Sequence, residues 1–206
     1  MVPLRRGWSW FEGSLADMSW ALGATEFQLT LLRRMADYQP ELVAEARRAL
    51  GVSITEMRQA NADWQRFCRS RTAPRGVGRY RAVLGPPESS TARKAGDLVV
   101  TLHQWRLDLW PDLRFEVVGG PEGESWQEWL VRPRGTAVPP MPDDGMLEPW
   151  DFVVGDLEGR YEGIRHLQPD APSRWVTEFR ARGADGSPVV RRARFVWGLV
   201  QEVSGG

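Results

Sequence analysis

Phe27, Leu31 and Met35 recur at four-residue steps with Leu32 beside them, which is the period of an amphipathic helix; it is predicted over 25–37 and stopped by Pro40. A second helix is predicted over 41–50, with Leu42, Ala46, Ala49 and Leu50 on one side and Gly51 as a left-handed C-cap. Its acids, Glu41 and Glu45, sit towards the positive end, and Arg47 and Arg48 towards the negative end, as the macrodipole prefers. Ser53-Ile-Thr-Glu56 reads as a capping box, opening a helix over 54–70 whose inner stripe is Ile54, Met57, Asn61, Trp64 and Phe67. Residues 71–89 are linker-like, rich in Pro and Gly, with a short strand predicted at Tyr80–Leu84. Thr91, Ala95, Leu98, Leu102, Trp105 and Leu109 then alternate steps of three and four. That spacing predicts a long helix over 90–110, capped by Ser89 or Ser90 and ended by Pro111. A strand over 97–110 is the alternative, with Trp105 breaking the two-residue alternation.

From there the period shortens to two. Leu113–Val118 alternates, 119–125 is turn-rich, and Trp126–Arg132 is its partner strand. A Pro/Gly/acidic loop over 133–149 follows, of the length that is usually functional or mobile. Strands are predicted at 150–154, 157–167, 174–182 and 188–200, with a hairpin around Ala184–Ser187. In the last of these Ala193, Phe195, Trp197 and Leu199 face one way, and Arg192, Arg194 and Val196 the other. The fold class is therefore α+β: a helical N-terminal part followed by a curved antiparallel sheet. The division is an ordered Trp-rich arm at 1–23, a helical region at 24–72 and an α+β domain at 73–206.

The 206 residues are 42% hydrophobic and 26% charged, close to average for globular chains, which excludes a disordered or collagen-like polymer. Lys+Arg and Asp+Glu are both 27, so no basic surplus supports whole-domain binding to a polyanion. All the cations but Lys94 are Arg. Cys68 is the sole cysteine, which excludes an intramolecular disulfide and multi-cysteine metal sites. No apolar run has the length of a secretory signal or a membrane helix, so a cytoplasmic protein without membrane contact is expected. The eleven Trp are the outlying count; they read as core, or as a Trp-lined pocket or partner interface.

No nucleophile elbow and no Walker loop occurs. Gly76-Val-Gly78 lacks the third glycine of a dinucleotide fingerprint, so no cofactor is expected. The only histidines are His103 and His166, too few for a His-rich metal site. His103 reads as a core or boundary residue. His166 is the better general base, its ordinary pKa lying near neutrality, with Asp151 as its acidic companion. Eleven acids against three Arg fall between 112 and 158. They lack the spacing of a calcium loop, so they read as a solvated face rather than a metal site. The opposite patch is Arg66, Arg69, Arg71, Arg75, Arg79 and Arg81, with no acid between Asp63 and Glu88 and with Trp64, Phe67 and Tyr80 interleaved. Guanidiniums beside aromatic faces can hold phosphates and stack bases. The helix–Gly51-Val-Ser53–helix arrangement before it superficially resembles a helix-turn-helix. A match between this basic stretch and the acidic region, within the chain or between copies, is the competing reading.

The predicted helix running into Trp110-Pro-Asp-Leu-Arg-Phe-Glu-Val117, followed by a turn and a strand closing in Arg134-Gly-Thr136, resembles the SnoaL-like polyketide-cyclase branch of the NTF2-like superfamily. The likeness covers about 90–136. It implies a cone: a bent sheet wrapping helices, with a pocket at the open end. The helical leader and the 133–149 loop are longer than that pattern has, and the family's acid–base Asp/His pair finds no matching positions. The resemblance thus implies a ligand pocket rather than a catalytic one.

Three functions follow as expectations. The first is a small-molecule-binding protein of NTF2-like form, with cyclase- or isomerase-like chemistry of bacterial secondary metabolism left open. Its pocket for an apolar or aromatic ligand would draw on Trp105, Phe115, Trp129, Tyr161, Phe179 and Trp197. The second is a non-catalytic interaction or scaffolding subunit of a larger assembly, engaging a protein partner or further copies of itself. The third is a nucleic-acid binder using 53–81.

Overall fold

The computed structural model describes residues 22–205, with backbone alone at 168–170. Four helices come first: α1 (Ala24–Met35), α2 (Pro40–Ala49), α3 (Ile54–Arg69) and α4 (Val77–Leu84). Then follow strands β1 (Ser89–Ala95), β2 (Leu98–Trp105), β3 (Arg114–Gly119) and β4 (Ser125–Val131), the short α5 (Val154–Glu158), and β5 (Glu162–Ala171), β6 (Arg174–Arg182), β7 (Pro188–Val196) and β8 (Leu199–Gly205). The strands form two four-stranded antiparallel meanders, β1-β2-β3-β4 and β5-β6-β7-β8. The chain is α+β, as the patterning indicates. The arm expected over 1–23 lies outside the described residues except for its last two.

The first three helices occupy the expected spans, but their inner faces differ in part: Val43 is the buried residue of α2 while Ala49 is exposed, and in α3 Ala60 is buried with Met57, Trp64 and Phe67 while Ile54 is exposed. The capping box forms: Ser53 Oγ accepts from the Glu56 N–H at 3.2 Å, and Glu56 Oε2 accepts from the Ser53 N–H at 2.7 Å. Helix α1 is buried on nearly every side, so it is a central strut rather than a surface helix. Phe27 is its hub, meeting Phe115 at 4.8 Å, Trp64 at 5.2 Å and Tyr80 at 5.9 Å between ring centroids. Gln28 carries a long, fully buried polar side chain into that interior. Its Oε1 accepts from the Leu109 N–H at 2.8 Å and its Nε2 donates to the Ala24 carbonyl at 3.2 Å.

Several elements differ from the expected ones. Residues 80–84 belong to helix α4, which buries Val77, Tyr80 and Val83 at three-residue steps. Residues 89–105 form a β-hairpin rather than a helix. Gly96 at φ +62 and Asp97 make its two-residue turn between Ala95 and Leu98, the arrangement of a type II′ turn. In β2 the buried His103 and Trp105 face the helices, while Leu98, Val100 and Leu102 alternate on the other face. Because both faces carry apolar residues, the same positions also satisfy helical spacing. The stretch expected as one strand over 188–200 is the β7–β8 hairpin, turning at Trp197-Gly198. Of the strand expected over 150–154, Val153 alone bridges to Leu199, and 154–158 is helical.

The Trp197-Gly198 turn joins the two sheets. Both residues have positive φ, +52 and +76, as a type I′ turn requires. Its carbonyls reach across: Leu130 N–H donates to the Trp197 carbonyl at 2.7 Å, and Val154 N–H to the Gly198 carbonyl at 3.0 Å. The approach is close enough that a Cβ on Gly198 would lie 2.8 Å from the Leu130 carbonyl oxygen and 2.9 Å from Trp129 Cβ. Gly198→Ala should therefore destabilise the chain by about 2 kcal/mol or more, combining left-handed strain with backbone collision. The control Gly51→Ala, also at positive φ but with open space around it, should lose only about 1 kcal/mol. Urea titration of both variants checks the difference.

Candidate functional site

Five of the six aromatic residues expected to line one pocket are divided between two packed interiors. Trp105, Phe115 and Trp197 belong to the core formed by the helices and the first sheet. Tyr161 and Phe179 belong to a second core, where loop 141–161 and α5 cover the second sheet; their rings lie 4.5 Å apart. Phe115 and Phe179 are 0% and 1% exposed, so their surfaces are consumed by neighbours. Trp129 stands apart from both groups. Its ring lies 6.2 Å from that of Trp175, tilted by 47°, and its indole N–H donates to Glu116 Oε1 at 3.1 Å. The buried Glu116 carboxylate is completed by the Gln104 amide at 2.7 Å.

Nor do His166 and Asp151 meet. His166 is on β5 and Asp151 lies just before Val153, whose bridge to Leu199 sets it against β8. They lie at opposite edges of the four-stranded second sheet, with β6, β7 and β8 between them. His166 is exposed and its Nδ1 contacts Thr177 Oγ1 at 3.1 Å. Asp151 is exposed as well.

The six arginines are spread over α3, the loop after it and α4 rather than in one row. Arg66 pairs with Asp63, Arg69 reaches Gln65, and Arg71, Arg75 and Arg81 are exposed. Arg79 is half-buried; it and Glu128, from the acidic region, both act on the Tyr80 hydroxyl and the Cys68 thiol. Burial pushes both of those groups above their ordinary pKa. Val77 N–H also donates to the Gly123 carbonyl at 2.9 Å. The end of the basic stretch is thus tied to the β3–β4 turn within the chain.

One ion pair is deeply buried. Arg132 Nε lies 3.0 Å from Asp156 Oδ1 and its Nη2 3.0 Å from Oδ2, with side chains 8% and 4% exposed. Arg132 Nη2 also donates to the Asp151 carbonyl at 2.8 Å, and Asp156 Oδ2 accepts from the Val153 N–H at 3.0 Å. Beside this pair is a groove of about 220 Å³ floored by Trp110, Pro111, Pro139 and Trp150. A wider cleft of about 500 Å³ lies between Arg160, Arg180 and Arg182 at the far end of the second sheet. Among the described residues no group of three or more His, Cys, Asp or Glu is placed to hold a metal ion, and no helix is long and apolar enough to cross a membrane.

The surface feature that stands out is the β1–β2 hairpin. Strand β3 pairs with β2 only over Thr101–Trp105, whereas β1 continues its pairing with β2 out to Leu98. The outer part of the hairpin is therefore a two-stranded arm beyond the sheet. All seven residues of β1 are exposed, and Leu98 and Val99 at the tip are 49% and 57% exposed. His103 anchors its base: it is buried, its Nδ1 contacts Ser90 Oγ at 2.8 Å, and its ring lies 6.2 Å from Trp105. Burial, with help from the Arg81 guanidinium, holds the imidazole below its ordinary pKa of 6.5. Sequence reasoning passed over this arm, although Gly96-Asp97 between two β-prone runs signals a hairpin turn.

No family model and no curated protein matches this chain. Among solved structures, a putative beta-lactamase inhibitor protein from Streptococcus mutans is similar over 67% of this chain and 86% of that one, at 11% identity and a TM-score of 0.27. A likeness so distant fixes neither fold nor function.

Two measurements test this geometry. Asp156→Asn leaves Arg132 buried without its countercharge and should destabilise by about 3–5 kcal/mol in denaturant titration. Because the folded His103 pKa is depressed, the unfolded chain takes up the proton first. Its contribution is complete above about pH 6.5 and is lost as pH falls towards the folded value. Stability measured at descending pH should fall more steeply in the unaltered chain than in His103→Gln.

Proposed function

We propose that this chain is a non-catalytic protein-interaction module, a subunit that docks on a larger assembly through the β1–β2 hairpin. The observation that carries the reading is the hairpin itself. A two-stranded arm gains little stability of its own in water, and this one presents Leu98 and Val99 at its tip and an open strand along its side. Folded chains ordinarily cover or shorten such edges, and exposed apolar positions grouped on one element mark contact surfaces. The alternative, a small-molecule pocket at the mouth of an NTF2-like cone, would need Trp105, Phe115 and Trp197 to share a cavity with Tyr161 and Phe179. Their distribution over two packed cores supports the interaction reading instead.

Leu98→Ser combined with Val99→Ser removes apolar surface of which the folded chain leaves about half open to solvent. Stability should stay within about 0.5 kcal/mol of the unaltered chain, while the protein partner retained by the unaltered chain in quantitative affinity capture should be lost. Equal retention by both chains would remove the hairpin from the docking surface.

A further inference from the structure

Resting on that module reading, we propose that β1 receives an extended segment of a partner protein carrying two adjacent carboxylates, added as a further strand to the first sheet. Among the described residues β1 has β2 on one side and no strand on the other. Alternate residues along such an edge leave N–H and C=O groups free to pair with an incoming chain. Strand β1 reads Ser-Ser-Thr-Ala-Arg-Lys-Ala. It contains no proline, and its pairing with β2 runs without a register shift from Ser89 to Ala95. Two of the usual devices for blunting an edge are therefore missing. Its side chains are small apart from Arg93 and Lys94, which leaves room for the partner's side chains on either face.

The charges choose the occupant. Arg93 and Lys94 are consecutive, so they stand on opposite faces of the sheet. Among the described residues neither is in an ion pair, and β1 contains no acid. Arg81, exposed on α4, adds a third cation whose field reaches His103 at the base of the hairpin. The acid nearest in sequence at the base, Glu88, is already taken by Arg106 and Arg114. Pairing two copies of β1 would bring four cations and no carboxylate into one ladder, and like charges facing each other across strands destabilise it. An incoming strand with consecutive carboxylates would meet Arg93 on one face and Lys94 on the other. Lys94 is also the only lysine of the chain, so it acts here as a gatekeeper against self-pairing that remains open to an acidic partner.

The probe is a synthetic peptide matched to β1 in length, seven residues, rich in valine and threonine with two adjacent glutamates at its centre. Its counterpart carries two lysines there. By fluorescence anisotropy at low salt, the full chain should bind the acidic peptide at least about fivefold more tightly than the basic one. Arg93→Glu with Lys94→Glu should invert that order. Carbodiimide should couple the acidic peptide to the Lys94 amine, located by peptide mapping. Thr91→Pro and Ala92→Pro, made singly, sample the alternation of the edge. One of them removes an outward N–H without touching the β1–β2 ladder, and that variant should lose binding while keeping the melting temperature of the unaltered chain. Equal binding of both peptides, no binding of either, or a chain that dimerises through β1 would overturn the proposal. If the peptides fail while the serine variant at Leu98 and Val99 still loses its partner, strand addition falls and the module reading stands.

Discussion

The two halves of this protein are held together by backbone, and the turn at Trp197-Gly198 is where that happens. A tight hairpin turn normally points its peptide groups at water. Here the two turn carbonyls are spent on the Leu130 and Val154 N–H groups of other elements. Such bonds have no side-chain substitute, so the sheets approach as closely as a missing Cβ allows. Trp197 holds the unusual positive φ for a bulky residue and lays its ring 6.4 Å from Phe115, carrying the join into the first core. The Arg132–Asp156 pair closes the same seam from the side, linking the end of β4 to the first turn of α5. The 133–149 loop is held in its middle as well, where the Pro142, Asp143 and Asp144 carbonyls accept from Tyr161 Oη, Arg182 N–H and Arg191 Nε and Leu147 enters the second core.

Once the halves are fixed in this way, the aromatic side chains are committed. Phe27, Trp64, Tyr80, Trp105 and Phe115 fill one interior, and Tyr161, Phe179 and Phe195 the other. A residue that contributes its whole surface to a core cannot also line an open site. Recognition then falls to parts that packing leaves over: sheet edges, hairpin tips and the clefts at the seam.

How far the sequence revealed this depends on whether local and tertiary forces agree. Helix α3 was legible because Ser53 and Glu56 encode its start chemically and Met57, Trp64 and Phe67 encode its face. The β6–β7 turn was legible because Asp185-Gly186-Ser187 is turn chemistry, and Asp185 does accept from the Ser187 N–H at 3.0 Å. Residues 89–105 were not, since apolar positions on both faces of β2 imitate a helical stripe. Helix α4 was hidden for the opposite reason: its caps are Gly76 and Gly85 at positive φ, and burial of Tyr80 rather than propensity makes it helical. Trp197-Gly198 gave no warning because the usual sign of a type I′ turn is Asn-Gly or Asp-Gly. As for the site, composition pointed to the tryptophans, whereas the exposed strand β1 carries serine, threonine and alanine around Arg93 and Lys94, a run with no apolar alternation to mark it as a strand.

A formal net charge of zero conceals an uneven distribution, and that unevenness follows from the pairing geometry. In the second sheet several cross-strand neighbours neutralise one another, Glu178 with Arg192 and Arg165 and Glu202 with Arg194, while Arg180 and Arg182 line the open cleft. On the first sheet, Glu88 is shared by two arginines and the Glu116 carboxylate is turned to an amide and an indole. Neither of these acids is available to Arg93 or Lys94. Among the described residues the cations of β1 are in no ion pair, the exposed Asp97 of the adjoining turn being the acid nearest to them in sequence, and their attraction for an outside carboxylate is screened by salt and solvent. Exposed charge of this kind adds little to folding stability; on the proposed reading its effect falls on which partner the edge admits and how fast that partner arrives.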